Sequence, residues 1–169
     1  MRIYLIGYMG SGKSTLGKEL ASRLSLSFLD MDQFIEKKYL KVVPDIFREE
    51  GEKEFRIKEQ ACLLEFSSME NVVVATGGGA PCFFDNMDIM NRTGCCVFLD
   101  VESKELAARL MKADVVRPLI QAEPADELVQ TIESMMRKRR PYYERARYIV
   151  AGNSITVEDV INRIGGNCG

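Results

Sequence analysis

Residues 2–15 read Arg-Ile-Tyr-Leu-Ile-Gly-Tyr-Met-Gly-Ser-Gly-Lys-Ser-Thr, an apolar run passing straight into a glycine-spaced loop that ends in Lys-Ser. This segment limits the fold more than any other. Residues 2–6 suit a short buried strand, and residues 16–24 repeat leucine at helical spacing with Lys, Glu and Arg between. A loop held between a strand and a helix in this way cradles polyphosphate. Its glycines bring backbone N–H groups close to phosphate oxygens, and the helix N-terminus adds partial positive charge. Lys13 supplies a mobile ammonium for the β- and γ-phosphates, and the Ser14 hydroxyl is placed to ligate Mg²⁺. The pattern predicts a nucleoside triphosphate site at Gly10, Ser11, Gly12, Lys13, Ser14 and Thr15.

The 169 residues suffice for one well-cored α/β domain and are too few for two ordinary ones. A net charge of −2 provides no broad basic field for a nucleic-acid backbone. Any anionic ligand must be held by a few placed arginines. Five cysteines, an odd number, are expected to be reduced thiols in the cytoplasm, with Cys95 and Cys96 as small core residues. The chain opens on its first strand and holds no apolar stretch near the roughly 20 residues of a membrane span. A soluble, unprocessed monomer without membrane or nucleic-acid partners is expected.

Five short β-rich runs recur at residues 2–6, 27–30, 72–75, 95–99 and 148–151, with helical patterns between them, including 52–66, 103–111, 125–144 and 157–164. Such alternation predicts a parallel sheet covered on both faces and joined by right-handed crossovers. Ligands then bind at the carboxyl ends of the strands. The unusual residues gather there. Asp30 and Asp32 end the second run, and two carboxylates at i and i+2 point the same way if strand geometry persists. One suits Mg²⁺ and the other an acceptor hydroxyl, although Asp32 also fits a helix cap. With no histidine in the chain, any general base is expected to be a carboxylate. Asp100 after the fourth run resembles a second acidic metal position and is ranked lower, on the expectation that its strand lies further from the phosphate loop.

Val72 to Ala75 lead through Thr76 into Gly77-Gly78-Gly79, a run that suits close approach of backbone to a ligand, or a sharp turn before Pro81. Residues 111–124 break the helical pattern and form a candidate lid carrying Arg117, which can close over a transferring phosphoryl group. Arg56 and Arg139 fall on helical segments and can grip a carboxylate bidentately, whereas Lys138-Arg139-Arg140 also reads as a solvated charge run.

Together these motifs resemble shikimate kinase, a family with the nucleoside-monophosphate-kinase-like P-loop fold. Gly7 to Ser14, Asp30-x-Asp32, Phe55-Arg56, Thr76 to Gly79, Arg117-Pro118-Leu119 and Arg139-x-Pro141-x-Tyr143 occur in the family's order over nearly the whole chain. The resemblance implies a three-layer α/β fold with a five-stranded parallel sheet in order 2-3-1-4-5. It also implies one domain over residues 1–169, with an acceptor segment over about 31–60. ATP and shikimate would be the substrates and Mg²⁺ the cofactor. Lys13 and the loop amides would hold ATP, Ser14 would ligate the metal and Asp30 would act on it through water. Asp32 would bind the shikimate hydroxyls as candidate base, while Arg56 and Arg139 would hold the carboxylate beside Gly77, Gly78 and Gly79. Arg117 would bridge both substrates. The arginine that relatives place seven residues before the lid arginine falls on Leu110 here, and Arg109 takes that place if the lid is one residue longer. The family's Arg-Pro element has no clear match at Gly152-Asn153-Ser154. Another small-molecule kinase of this fold, or a nucleotide-dependent regulatory domain, are the alternatives.

Overall fold

A computed structural model describes residues 1–112, 124–165 and 168. The expected lid therefore lies almost wholly outside the described residues, and Arg117 with it. The chain runs β1 (Arg2–Ile6), α1 (Lys13–Leu24), β2 (Ser27–Asp30), α2 (Met31–Tyr39), α3 (Val43–Phe66), β3 (Val72–Ala75) and α4 (Asn86–Thr93). It continues through β4 (Cys95–Asp100), α5 (Ser103–Lys112), α6 (Ala125–Tyr143), β5 (Tyr148–Ala151) and α7 (Val157–Ile164). All strand pairs are parallel, in the order β2-β3-β1-β4-β5. This is the predicted sheet.

Strand alternation divides the core. Tyr4, Ile6, Val72, Val74, Cys96 and Phe98 pack one way with α3, α4 and α6, while Ile3, Leu5, Val73, Val97 and Leu99 pack the other way with α1 and α7. With both faces covered, the strands are continuous apolar runs, as parallel sheets require. β1 sits at the centre, where the connection reverses direction, so the loop after it opens into the crevice between β3 and β4.

Two expectations change. β4 is hydrogen-bonded directly to β1, whereas β2 is separated from β1 by β3. Asp100 is therefore nearer to the phosphate loop in the sheet than was inferred, and another cause must set it aside. The cysteines are not all reduced either. Cys168 lies against the start of β4, where it is disulfide-bonded to Cys95 with Cα atoms 5.4 Å apart. Cys96 is buried and free, as expected of a core residue. Among the described residues no helix is long and apolar enough to cross a membrane.

Candidate active site

The donor side is built on the loop between β1 and α1. Gly10 and Gly12 have φ of 81° and 93°, in the left-handed region where a side chain is strained. Their conformations turn the chain into α1, whose first residues are Lys13 and Ser14. Lys13 is buried, and its Nζ donates to the carbonyls of Gly7 at 2.8 Å and Tyr8 at 2.9 Å, lying back along the loop. A cleft of about 210 Å³ opens beside it, lined by Gly12, Ser14, Thr15, Asp30, Asp32 and Thr76, among others. The Ser11 hydroxyl is buried without a hydrogen-bond partner, and its amide donates to the Tyr8 carbonyl.

Ser14 Oγ donates to Asp30 Oδ2 at 2.6 Å, so a hydroxyl and a carboxylate stand together at the mouth of the loop. These are hard oxygen donors of the kind Mg²⁺ takes, and they fit the implied cation. Among the described residues no three His, Cys, Asp or Glu side chains group to hold a metal. The remaining ligands in such a site are phosphate oxygens and water. Asp100 is set aside by pairing and not by distance: Arg140 donates to both its oxygens, at 2.8 and 3.0 Å.

Strand geometry does not persist through Asp32. β2 stops at Asp30, which caps α2 by accepting from the Gln33 amide at 3.2 Å, and Asp32 lies in the first turn of that helix. Asp32 still reaches the crevice, because a Cβ added to Gly77 would lie 3.2 Å from its Oδ1.

The acceptor side forms around the three glycines after β3. Thr76 fixes their start, its amide and hydroxyl both donating to the Leu5 carbonyl at 3.1 Å. A Cβ on Gly79 would lie 2.5 to 2.8 Å from the Arg56 guanidinium, and one on Gly77 would lie 2.4 Å from Glu59 Oε1. These glycines leave room for side chains. Arg139 crosses Gly78 from α6, and Tyr143, one turn further on, donates from its hydroxyl to the Gly78 carbonyl at 2.5 Å. Arg139 also lies over the Tyr8 ring, 5.3 Å from its centroid, so the expected charge run is not wholly a solvated face. Its Nη1 is buried without a hydrogen-bond partner, a donor that an anion would satisfy.

Glu59 is the site residue that sequence reasoning missed. Only 1 % of its side chain is exposed, and Oε2 accepts from Arg56 Nη1 at 2.8 Å. Burial pushes its carboxyl up to about 7; Arg56 and Arg139 pull it down, and Asp32 adds to the rise. Asp32, Arg56, Glu59 and Arg139 thus form one electrostatic cluster around the glycine run.

The shikimate kinase family model matches residues 9–167. The chain belongs to the shikimate kinase family. It is 48 % identical over 155 residues to shikimate kinase of Bacteroides fragilis, covering 92 % of this chain and 87 % of the relative. The crystal structure of the Bacteroides thetaiotaomicron shikimate kinase superposes with a TM-score of 0.91 at 44 % identity, over 96 % of this chain and 94 % of the other. Shikimate kinase from Acinetobacter baumannii, solved in complex with shikimate, gives 0.82 at 36 % identity over 95 % and 88 %. A gluconokinase from Sinorhizobium meliloti, 18 % identical with a TM-score of 0.54, shares the fold.

The surroundings of Arg109, Leu110 and Asn153 are clearer in three dimensions than in the shikimate kinase sequence pattern. Arg109 Nη1 donates to the Gly10 carbonyl at 3.2 Å and Nη2 to the Asn153 carbonyl at 2.5 Å, joining the phosphate loop to the turn after β5. Leu110 packs on Gly10, where an added Cβ would lie 3.3 Å from it. Arg109 and Asn153 therefore lie together beside the loop.

Proposed function

We propose that the chain transfers the γ-phosphoryl group of ATP to the 3-hydroxyl of shikimate, giving shikimate 3-phosphate and ADP in aromatic amino acid biosynthesis. The observation that carries this most directly is the contact between the two loops. A Cβ on Gly78 would stand 3.5 Å from both the Gly7 carbonyl oxygen and the Met9 nitrogen, so the acceptor seat abuts the phosphate cradle. Arg56 and Arg139 flank that seat, and Asp32 lies at its opening. Two guanidiniums beside a carboxylate suit an anionic polyol better than a nucleotide acceptor.

Lys13 exchanges its carbonyl partners on the loop for the β- and γ-phosphates, and the loop amides hold their oxygens. Ser14 and Asp30, whose oxygens stand together at the mouth of the loop, would hold Mg²⁺, which would supply neutralisation of the phosphate charge. Arg56 and Arg139 fix the shikimate carboxylate, which orients the ring with its 3-hydroxyl toward Asp32. The hydroxyl oxygen forms a bond to the γ-phosphorus as the bond to the ADP oxygen breaks, and the hydroxyl proton passes to the Asp32 carboxylate. Arg109 borders the nucleotide, and the resemblance assigns Arg117, which lies outside the described residues, to the transferring phosphoryl group. The chain is read as one domain that acts as a monomer. It works in the cytoplasm, where ATP is available.

ADP release with Mg-ATP should rise on adding shikimate and should not rise with gluconate, quinate or a nucleoside monophosphate. Absence of stimulation by shikimate overturns the assignment.

A further inference from the structure

Arg56 can take a carboxylate bidentately only if its guanidinium plane is fixed. Its hydrogen bonds do this incompletely. Glu59 holds one edge, but the other partner, Glu52, is 58 % exposed and bonds at 3.1 and 3.3 Å. Three rings also surround the guanidinium. Phe83 lies with its centroid 4.2 Å from Arg56 Cζ, nearer than Phe55 at 5.2 Å or Phe47 at 5.8 Å. Phe47 and Phe55 come from α3 itself, whereas Phe83 reaches across from the turn that follows the triple glycine.

That turn is built to point Phe83 inward. Asn86, fully buried, donates from Nδ2 to the Ala80 carbonyl at 2.9 Å, and Asp85 accepts from Gln60 Nε2 of α3 at 2.9 Å. The next residue, Phe84, has φ of 49°, a left-handed conformation that a bulky side chain adopts at a cost, and its ring is exposed to solvent. Strain of this kind persists where the surroundings over-determine it. Gly79, on the same segment, leaves room for the guanidinium. One turn thus supplies both the space and the ring that set the position of Arg56.

We propose that Phe83 is a positioning residue for the acceptor: its ring orients Arg56 to receive a carboxylate and so favours carboxylate-bearing acceptors. The proposal rests on the assignment of Arg56 to the shikimate carboxylate. Its test is calorimetric titration of shikimate, the uncharged methyl ester of shikimate, and ATP into the wild-type chain and the variants Phe83→Leu and Phe83→Tyr. Phe83→Leu should weaken shikimate about tenfold, while Phe83→Tyr, which keeps the ring face, stays within about twofold. The methyl ester and ATP should bind both variants as they bind the wild type. An unchanged shikimate affinity in Phe83→Leu overturns the proposal. So does an equal loss for acid and ester, which marks a packing role. Should Phe83→Leu fail to fold, the acid-to-ester ratio in Phe83→Met reads the same quantity. A wild-type chain that releases no ADP with shikimate overturns the functional assignment; wild-type turnover with an unchanged Phe83→Leu overturns this proposal alone.

Discussion

In the loop after β1, Gly10 and Gly12 take φ of 81° and 93°, and glycine is needed for the path of the backbone. In the loop after β3, Gly79 has an ordinary φ of −87°, yet a Cβ there would lie 2.5 Å from Arg56. The first loop needs glycine for conformation and the second for space. The donor cradle is consequently a local object, shaped by its own backbone. The proposed acceptor seat is assembled by side chains from α2, α3 and α6 that converge on the turn after β3. Substitutions should separate the two.

The largest effect is expected at the reacting hydroxyl. Asp32→Asn should lower kcat by about 10² to 10⁴ while ATP binding is retained, as measured by single-turnover kinetics and nucleotide titration. A loss of ATP affinity would move Asp32 to the donor half. Next is Gly79→Ala, whose Cβ displaces the far end of a flexible side chain and not backbone. Shikimate affinity should fall about 10- to 100-fold with ATP affinity little changed, and the thermal midpoint should fall too because the buried Arg56–Glu59 pair is disturbed. Gly12→Ala should do the converse, weakening ATP on the order of tenfold through backbone strain and leaving shikimate alone. A shikimate loss in Gly12→Ala equal to its ATP loss would merge the two loops into one unit.

The smallest effect is a pH dependence of stability confined to the acceptor side. With its folded value near 7 and an ordinary value of 4.5, Glu59 is protonated in folded and unfolded chains alike below about pH 4.5. Its contribution to stability is fully present there and is lost as pH rises through about 7, because the unfolded chain ionises first. Thermal midpoints should decline across that window, and Glu59→Gln should flatten the decline. An identical slope in the variant would assign the effect to other groups.

This comparison also explains what could be read in advance. The five strands and the donor loop are written in contiguous residues, so local pattern was enough to place them. Sequence leaves the element carrying Asp32 open between a continued strand and a helix start, because the end of β2 depends on Asp30 turning back to cap α2. Glu59 looked like one more charge on a charged helix. It lies three residues before Cys62 and four before Leu63, both fully buried, so the apolar face of α3 passes through it, and that periodicity was the available signal. Arg140 has a local partner in Glu144, but Tyr8 under Arg139 and Asp100 beside Arg140 are far away in the chain, and no local pattern names them. The same holds for the bond between Cys95 and Cys168, which span 73 positions.

The central claim is that the triple glycine makes room for side chains that hold the acceptor. Calorimetric titration of shikimate into Arg56→Ala and into Arg56→Ala combined with Gly79→Ala tests it most directly. If Gly79 serves to seat Arg56, the double variant binds shikimate within about twofold of the single one, because nothing remains to displace. A further loss of about tenfold in the double variant would show that the Gly79 backbone holds the acceptor itself, and would contradict the account.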